Sequence, residues 1–157
     1  MRLIAWDQAS ITSGYSVFED GKYVDSGIIV KDKKIPIIER IPKMAEAICM
    51  KIKEHSPDIV VIEGIQNQGS IKTTLDLARL QGGIMMWCDI KKIPLHILMP
   101  SEWRSELKYQ QGKLVKREEL KKQSLDYVKK YFELEKSEDE AEAICIGAAA
   151  CNLYTTE

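Results

Sequence analysis

Asp58-Ile59-Val60-Val61-Ile62-Glu63 is a run of four aliphatic residues closed at each end by a carboxylate. A continuous apolar run of this length predicts a strand buried on both faces, as in a parallel sheet covered by helices. Arg2-Leu3-Ile4-Ala5-Trp6-Asp7 has the same form, a short buried strand that ends on an acid. Gly14 to Phe18 is a second strand, and the Asp20-Gly21 pair after it is a strong hairpin signal. Lys22 to Val30 completes a third strand, so the chain opens as an antiparallel meander. Ile41, Met44, Ile48 and Ile52 recur at spacings of 3 and 4, which predicts an amphipathic helix with Pro42 in its first turn. Past Glu63, a loop leads to a long helix from Ser70 to Lys91. Gly82-Gly83 inside it costs roughly 1 kcal/mol per glycine against alanine, and a close helix contact is a reason to carry it. Ile93 to Met99 is a fifth strand, placed at an edge by Pro94. A short helix from Pro100, a polar loop over Tyr109 to Lys113, a helix from Val115 to Phe132 and a last helix from Ser137 to Asn152 follow. The order βββαβαβααα defines an α/β fold, with a five-stranded mixed sheet of three antiparallel and two parallel strands flanked by helices.

A chain of 157 residues fits one domain, residues 1–157, with a sizeable core. Its net charge of −1 makes no case for nucleic acid, so charge placement has to carry that reading. Cys49, Cys88, Cys145 and Cys151 form no Cys-x-x-Cys pair and sit among apolar residues, as buried thiols of a reducing compartment do. His55 and His96 match no ligand spacing. No signal peptide and no apolar run of about 20 residues stands in the sequence, which points to the cytoplasm and away from membranes.

The last helix opens Ser137-Glu138-Asp139-Glu140-Ala141-Glu142. Ser137 with Glu140 reads as a capping box, and Glu138 suits the helix dipole and solvent. Asp139 and Glu142, three apart, share one face and are left over. Ligands of open α/β sheets gather at the carboxyl ends of strands. With the first and fourth strands as parallel neighbours, Asp7 and Glu63 meet there, and the head of the last helix packs over the same edge. Four carboxylates cannot share a small site unaided. Two divalent cations would balance four formal charges, and oxygen-only ligands select magnesium, with manganese as a substitute. Two such ions suit hydrolysis of a phosphodiester.

Taken in order, these segments resemble the RuvC family of Holliday-junction resolvases, in the RNase H-like (retroviral integrase) superfamily. Leu3-Ile4-Ala5-Trp6-Asp7 with Gly14-Tyr15 is similar to that family's first strand and turn, and Ile59 to Glu63 to its second acidic strand. Leu75-x-Leu77-Ala-Arg-Leu-Gln-Gly82 is similar to its long helix, and Asp139-Glu-Ala-Glu142-Ala-Ile to its closing acidic helix. The resemblance implies the RNase H-like fold, a homodimer, magnesium-dependent nicking of branched DNA, and Asp7, Glu63, Asp139 and Glu142 as catalytic and metal-binding acids. The chain departs from the family in three places. Gln8-Ala9 follows the first acid in place of Pro-Gly, Glu142 stands for the usual aspartate, and Gln66 stands where the family often has an aromatic used in opening the junction. Those departures and the compact length look like the phage branch, with weak sequence selectivity.

Between Arg104 and Lys122 seven cations (Arg104, Lys108, Lys113, Lys116, Arg117, Lys121, Lys122) outnumber three acids. That surplus reads as a phosphate track with salt-sensitive binding. The DNA-binding candidates are Lys113, Lys116 and Arg117, with Lys72 and Arg79 on the long helix. Gln66, Asn67 and Gln68 are candidates for probing the junction centre. The long helix, with Gly82-Gly83 and Met85-Met86, is the candidate dimer surface. No residue pattern specifies a motor-protein partner. Two other functions fit the same features, an RNase H-like nuclease acting on RNA or an RNA–DNA hybrid and a non-catalytic branched-DNA-binding protein.

Overall fold

The structure, a computed structural model, describes residues 1–66 and 70–155. Its elements are β1 (Arg2–Asp7), β2 (Thr12–Glu19), β3 (Lys22–Val30), α1 (Ile37–His55), β4 (Ile59–Glu63), α2 (Ile71–Lys91), β5 (Leu95–Leu98), α3 (Pro100–Glu106), α4 (Arg117–Phe132) and α5 (Glu138–Tyr154). The sheet order is β3-β2-β1-β4-β5, in which β1 to β3 pair antiparallel and β1, β4 and β5 pair parallel. β5 is an edge, as Pro94 requires. Asp20 and Gly21 form the β2–β3 turn with φ of 50° and 74°, the doubly left-handed turn that matches strand twist.

Both faces of the sheet are covered, which is why β1 and β4 read as unbroken apolar runs. Leu3, Ala5 and Val61 face a core shared with Trp103, Val128 and the body of α5. Ile4, Trp6, Val60 and Ile62 face α1 and α2 through Met44, Ile48, Ile52, Leu80 and Ile84. All four cysteines are buried and free. No helix of the described residues is long and apolar enough to cross a membrane.

α5 consists of small residues because it lies almost on the sheet. A Cβ at Gly147 would meet the Ser16 Oγ and the Phe18 ring at 2.5 Å. A Cβ at Gly14 would collide with the main-chain carbonyl of Asp139. Gly14 is the partner of Asp7 across β1 and β2, so this contact brings the head of α5 beside the first acid.

One expectation fails in α1. It begins at Ile37, a turn earlier than its periodicity predicts, and Pro42 lies inside it rather than in the first turn. The apolar face of Ile41, Met44, Ile48 and Ile52 is fully used and outweighs the one helical bond the proline cannot donate. Within Gly82-Gly83, only Gly83 serves close packing, its Cβ position lying 3.4 Å from the Ala45 Cβ on α1. Gly82 meets nothing within 4 Å.

Candidate active site

A cavity of about 770 Å³ opens over the carboxyl ends of β1 and β4. Asp7 and Glu63 reach it from the strand ends, and Asp139 and Glu142 from the first turns of α5. All four are partly buried. The parallel register explains the first pair, since Trp6 stands opposite Ile62 and the acids are the next residues on each strand. Helix periodicity explains the second.

The electrostatics are those of like charges forced together. Burial, then the charges of Glu63 and Glu142, hold the Asp7 carboxyl well above its ordinary pKa. Burial also raises Glu63, against the pull of a hydrogen bond from Trp103. Glu142 is raised by burial, while a bond from Asp7 and the charges of Arg104 and Lys121 act the other way. Asp7, Glu63 and Glu142 therefore all resist ionising together, Asp7 most of all. Among the described residues no three acid, histidine or cysteine side chains stand as a ready metal cage. The acids' donor chemistry fits a hard divalent cation, because every donor is an oxygen and the carboxylates disfavour one another's charge.

The other two acids of the helix head have separate work. Ser137 caps α5 by accepting from the Glu140 N–H at 3.4 Å. Glu140 does not complete the expected capping box. Its carboxylate accepts from the Ser26 hydroxyl at 2.6 Å and pairs with Lys136 at 2.9 Å, tying α5 to β3. Glu138 pairs with Lys121 on α4 rather than facing only solvent.

Glu63 is clamped from three sides, an arrangement that sequence reading missed. The Gln8 amide takes over where the β1–β4 ladder ends. Its Oε1 accepts from the Glu63 N–H at 3.1 Å and its Nε2 donates to the Glu63 carbonyl at 2.6 Å. Gln81 of α2 donates to the same carbonyl at 2.7 Å. The indole N–H of the fully buried Trp103 donates to Glu63 Oε1 at 2.9 Å. Trp103 is itself held edge-on by Tyr109, with Arg104 above its ring at 5.0 Å. The available signal was Gln81, a polar residue on the buried face of α2 between Leu80 and Ile84.

Among the described residues four cations line the cavity, Arg40, Arg104, Arg117 and Lys121. Of the DNA-binding candidates, only Arg117 is among them. Arg79 lines a smaller groove between α1 and α2 and pairs with Asp76 at 3.0 Å. Lys72, Lys113 and Lys116 are exposed outside the cavity lining. Gln66 lines the cavity, while Asn67 and Gln68 lie outside the described residues.

A five-stranded sheet in this order, with an acid at the ends of β1 and β4 and two more on the closing helix, defines an RNase H-like protein. Over residues 3–149 the chain matches the family model described as crossover junction endodeoxyribonuclease RuvC, and it belongs to that family. The protein of that name from Hydrogenovibrio crunogenus is 26% identical over 110 residues, 68% of this chain and 63% of the relative. The match to its Corynebacterium glutamicum counterpart spans 48% of that protein. Thermus thermophilus RuvC, solved in complex with a Holliday junction substrate, has the same fold. Its TM-score is 0.75 at 13% identity, over 99% of this chain and 97% of that one.

Proposed function

We propose that the chain is a metal-dependent endonuclease that nicks Holliday junctions and other branched DNA, acting as a single nuclease domain over residues 1–157. Four acids converging on one cavity at the sheet edge, with cations on its walls, carry this reading. Membership of the RuvC family supports it. Asp7, Glu63, Asp139 and Glu142 are the catalytic set and the residues that would hold two magnesium ions, with manganese as a substitute. When bound, such ions neutralise the acids, activate a water and stabilise the leaving oxygen.

The chain's own part is positioning. Trp103 commits one oxygen of Glu63, so the other is the one that would meet a cation. Gln8 and Gln81 fix the Glu63 backbone against drift, which matters where a misplacement of about 1 Å costs about 10²-fold in rate. Arg104, Arg117 and Lys121 hold backbone phosphates on one wall. Lys113, Lys116, Lys72 and Arg79 extend the contact beyond the cavity, and Gln66 with Asn67 and Gln68 meets the junction centre. Those amides replace an aromatic wedge, so sequence selectivity is weak, as in the phage branch. The site of action is the cytoplasm.

Two symmetric nicks need two sites, hence a homodimer. Ile71, Leu75, Met86 and Ile90 form one exposed apolar stripe along α2, 75%, 49%, 63% and 63% accessible, with Gly82 open between them. That stripe is the proposed dimer face.

The test is purified protein with magnesium on four-way, three-way, forked and linear DNA and on an RNA–DNA hybrid. Preferential nicking of branched DNA is expected. Preference for the hybrid, or binding with no cleavage in magnesium or manganese, would overturn the proposal.

A further inference from the structure

The cations of the cavity are unevenly placed. Arg104 comes from α3, and Arg117 and Lys121 from the start of α4, so three stand on one wall. Arg40, at the end of the first turn of α1, and Thr73 of α2 come from the two helices that pack on the other face of the sheet, and so form the other wall. Arg40 Nη1 donates to the carbonyls of Lys33 at 3.0 Å and Ile35 at 2.8 Å, and its Nη2 reaches the Ser10 hydroxyl at 3.5 Å. All three partners are neutral oxygens. Asp76, the acid that α2 adds to this wall, is taken by Arg79. The Nε of Arg40 is buried and has no hydrogen-bond partner among the described residues.

Holding two carbonyls is a task for a neutral amide. A guanidinium keeps its charge at all physiological pH values. Here that charge is anchored by main-chain oxygens in the lining of the acid cavity, with no carboxylate bound to it among the described residues. A nucleic-acid strand with one phosphodiester over the acids carries its neighbouring phosphates out along both walls. Contacts on one wall alone would let the strand pivot about them, whereas contacts on both fix the reacting phosphate in line.

We propose that Arg40, with the hydroxyls of Ser10 and Thr73, forms a second phosphodiester-binding subsite. It grips the cleaved strand on the side of the cut opposite Arg104, Arg117 and Lys121. The proposal rests on the nuclease reading of the acid cavity and adds to it a two-sided hold on the strand.

The experiment uses the full chain and four-way junctions in which one phosphate at a time, on either side of the cut, is a neutral methylphosphonate. Binding is measured by fluorescence anisotropy in EDTA across a salt series. Neutral linkages on both sides of the cut are expected to weaken binding. Arg40→Gln lowers affinity several-fold, and its plot of log K against log salt is shallower by about 0.7 to 0.9, one phosphate contact. It also becomes insensitive to one of the linkages that weakens the parent. Loss of the two carbonyl bonds alone would lower the melting temperature and leave the salt slope in place. If Arg40→Gln does not fold, the methylphosphonate scan of the parent decides. Sensitivity confined to one side of the cut, with cleavage intact, overturns the subsite and leaves the nuclease reading standing. Failure to bind any DNA overturns both.

Discussion

The two ends of β1 both carry clustered acids, and they are built on opposite terms. At the Arg2 end every acid has a donor. The Arg2 N–H donates to Asp58 at 2.7 Å, and its guanidinium reaches Glu19 at 3.0 Å. The Asp58 N–H returns a bond to the Arg2 carbonyl at 2.8 Å. The N-terminal ammonium pairs with Asp20 and holds its carboxyl below the ordinary range. At the Asp7 end acids face acids, and the pKa of Asp7 is driven up. Carboxylates are a fastening at one end of the strand and a store of repulsion at the other. Structures keep such repulsion where function needs it.

Substitution of an acid by its amide should therefore act in opposite directions at the two ends. The largest effect is expected for Glu63→Gln. Single-turnover cleavage of a four-way junction should fall by about three orders of magnitude, roughly 4 kcal/mol of transition-state stabilisation, with junction binding in EDTA unchanged. Gln8→Ala comes next. It strips the Glu63 N–H of its partner and the carbonyl of one of two. Cleavage should slow by about 10²-fold at unchanged KM, with about 1–3 kcal/mol lost in urea unfolding. An effect on stability alone would reduce the clamp to scaffolding.

The acid cluster also makes stability depend on pH. The raised pKa of Asp7 means that the folded chain holds a proton the unfolded chain has released. Metal-free stability should therefore fall as pH rises through the ordinary carboxylate range toward the raised value. Melting curves in EDTA between about pH 4 and pH 8 should show this decline in the parent and a flatter profile in Asp7→Asn. A parent no less stable at the upper end would remove the stored repulsion from the account. The smallest effect belongs to Asp58→Asn, at the paired end. It should lower stability by about 0.5–1 kcal/mol and leave cleavage unchanged.

The sheet was legible because burial on two faces writes itself as continuous apolar runs, and a two-residue Asp-Gly turn leaves one choice of register. β3 spans Lys22–Val30, as read. The acids were legible because β1 and β4 each end on one, and because Asp139 and Glu142 remain once a helix cap is accounted for. What surrounds them was not. Gln8, Gln81 and Trp103 meet Glu63 from three elements far apart in sequence, and no local pattern records which buried amide or indole completes which acid. Arg40 borders the apolar face of α1 like the lysines that follow it, and only the packing of α1 against the cavity reveals its position. Glu140 illustrates the reverse error. Spacing alone assigned its carboxylate to Ser137, but Ser26 and Lys136 were the nearer tertiary partners.

Phosphodiester cleavage is the proposed work of the acids at the carboxyl edge of β1 and β4. It is tested most directly by Asp7→Asn on a four-way junction, with binding in EDTA and cleavage in magnesium measured on the same preparation. The expected result is junction affinity equal to the parent's with nicking slowed about as far as in Glu63→Gln. Nicking at the parental rate would contradict it.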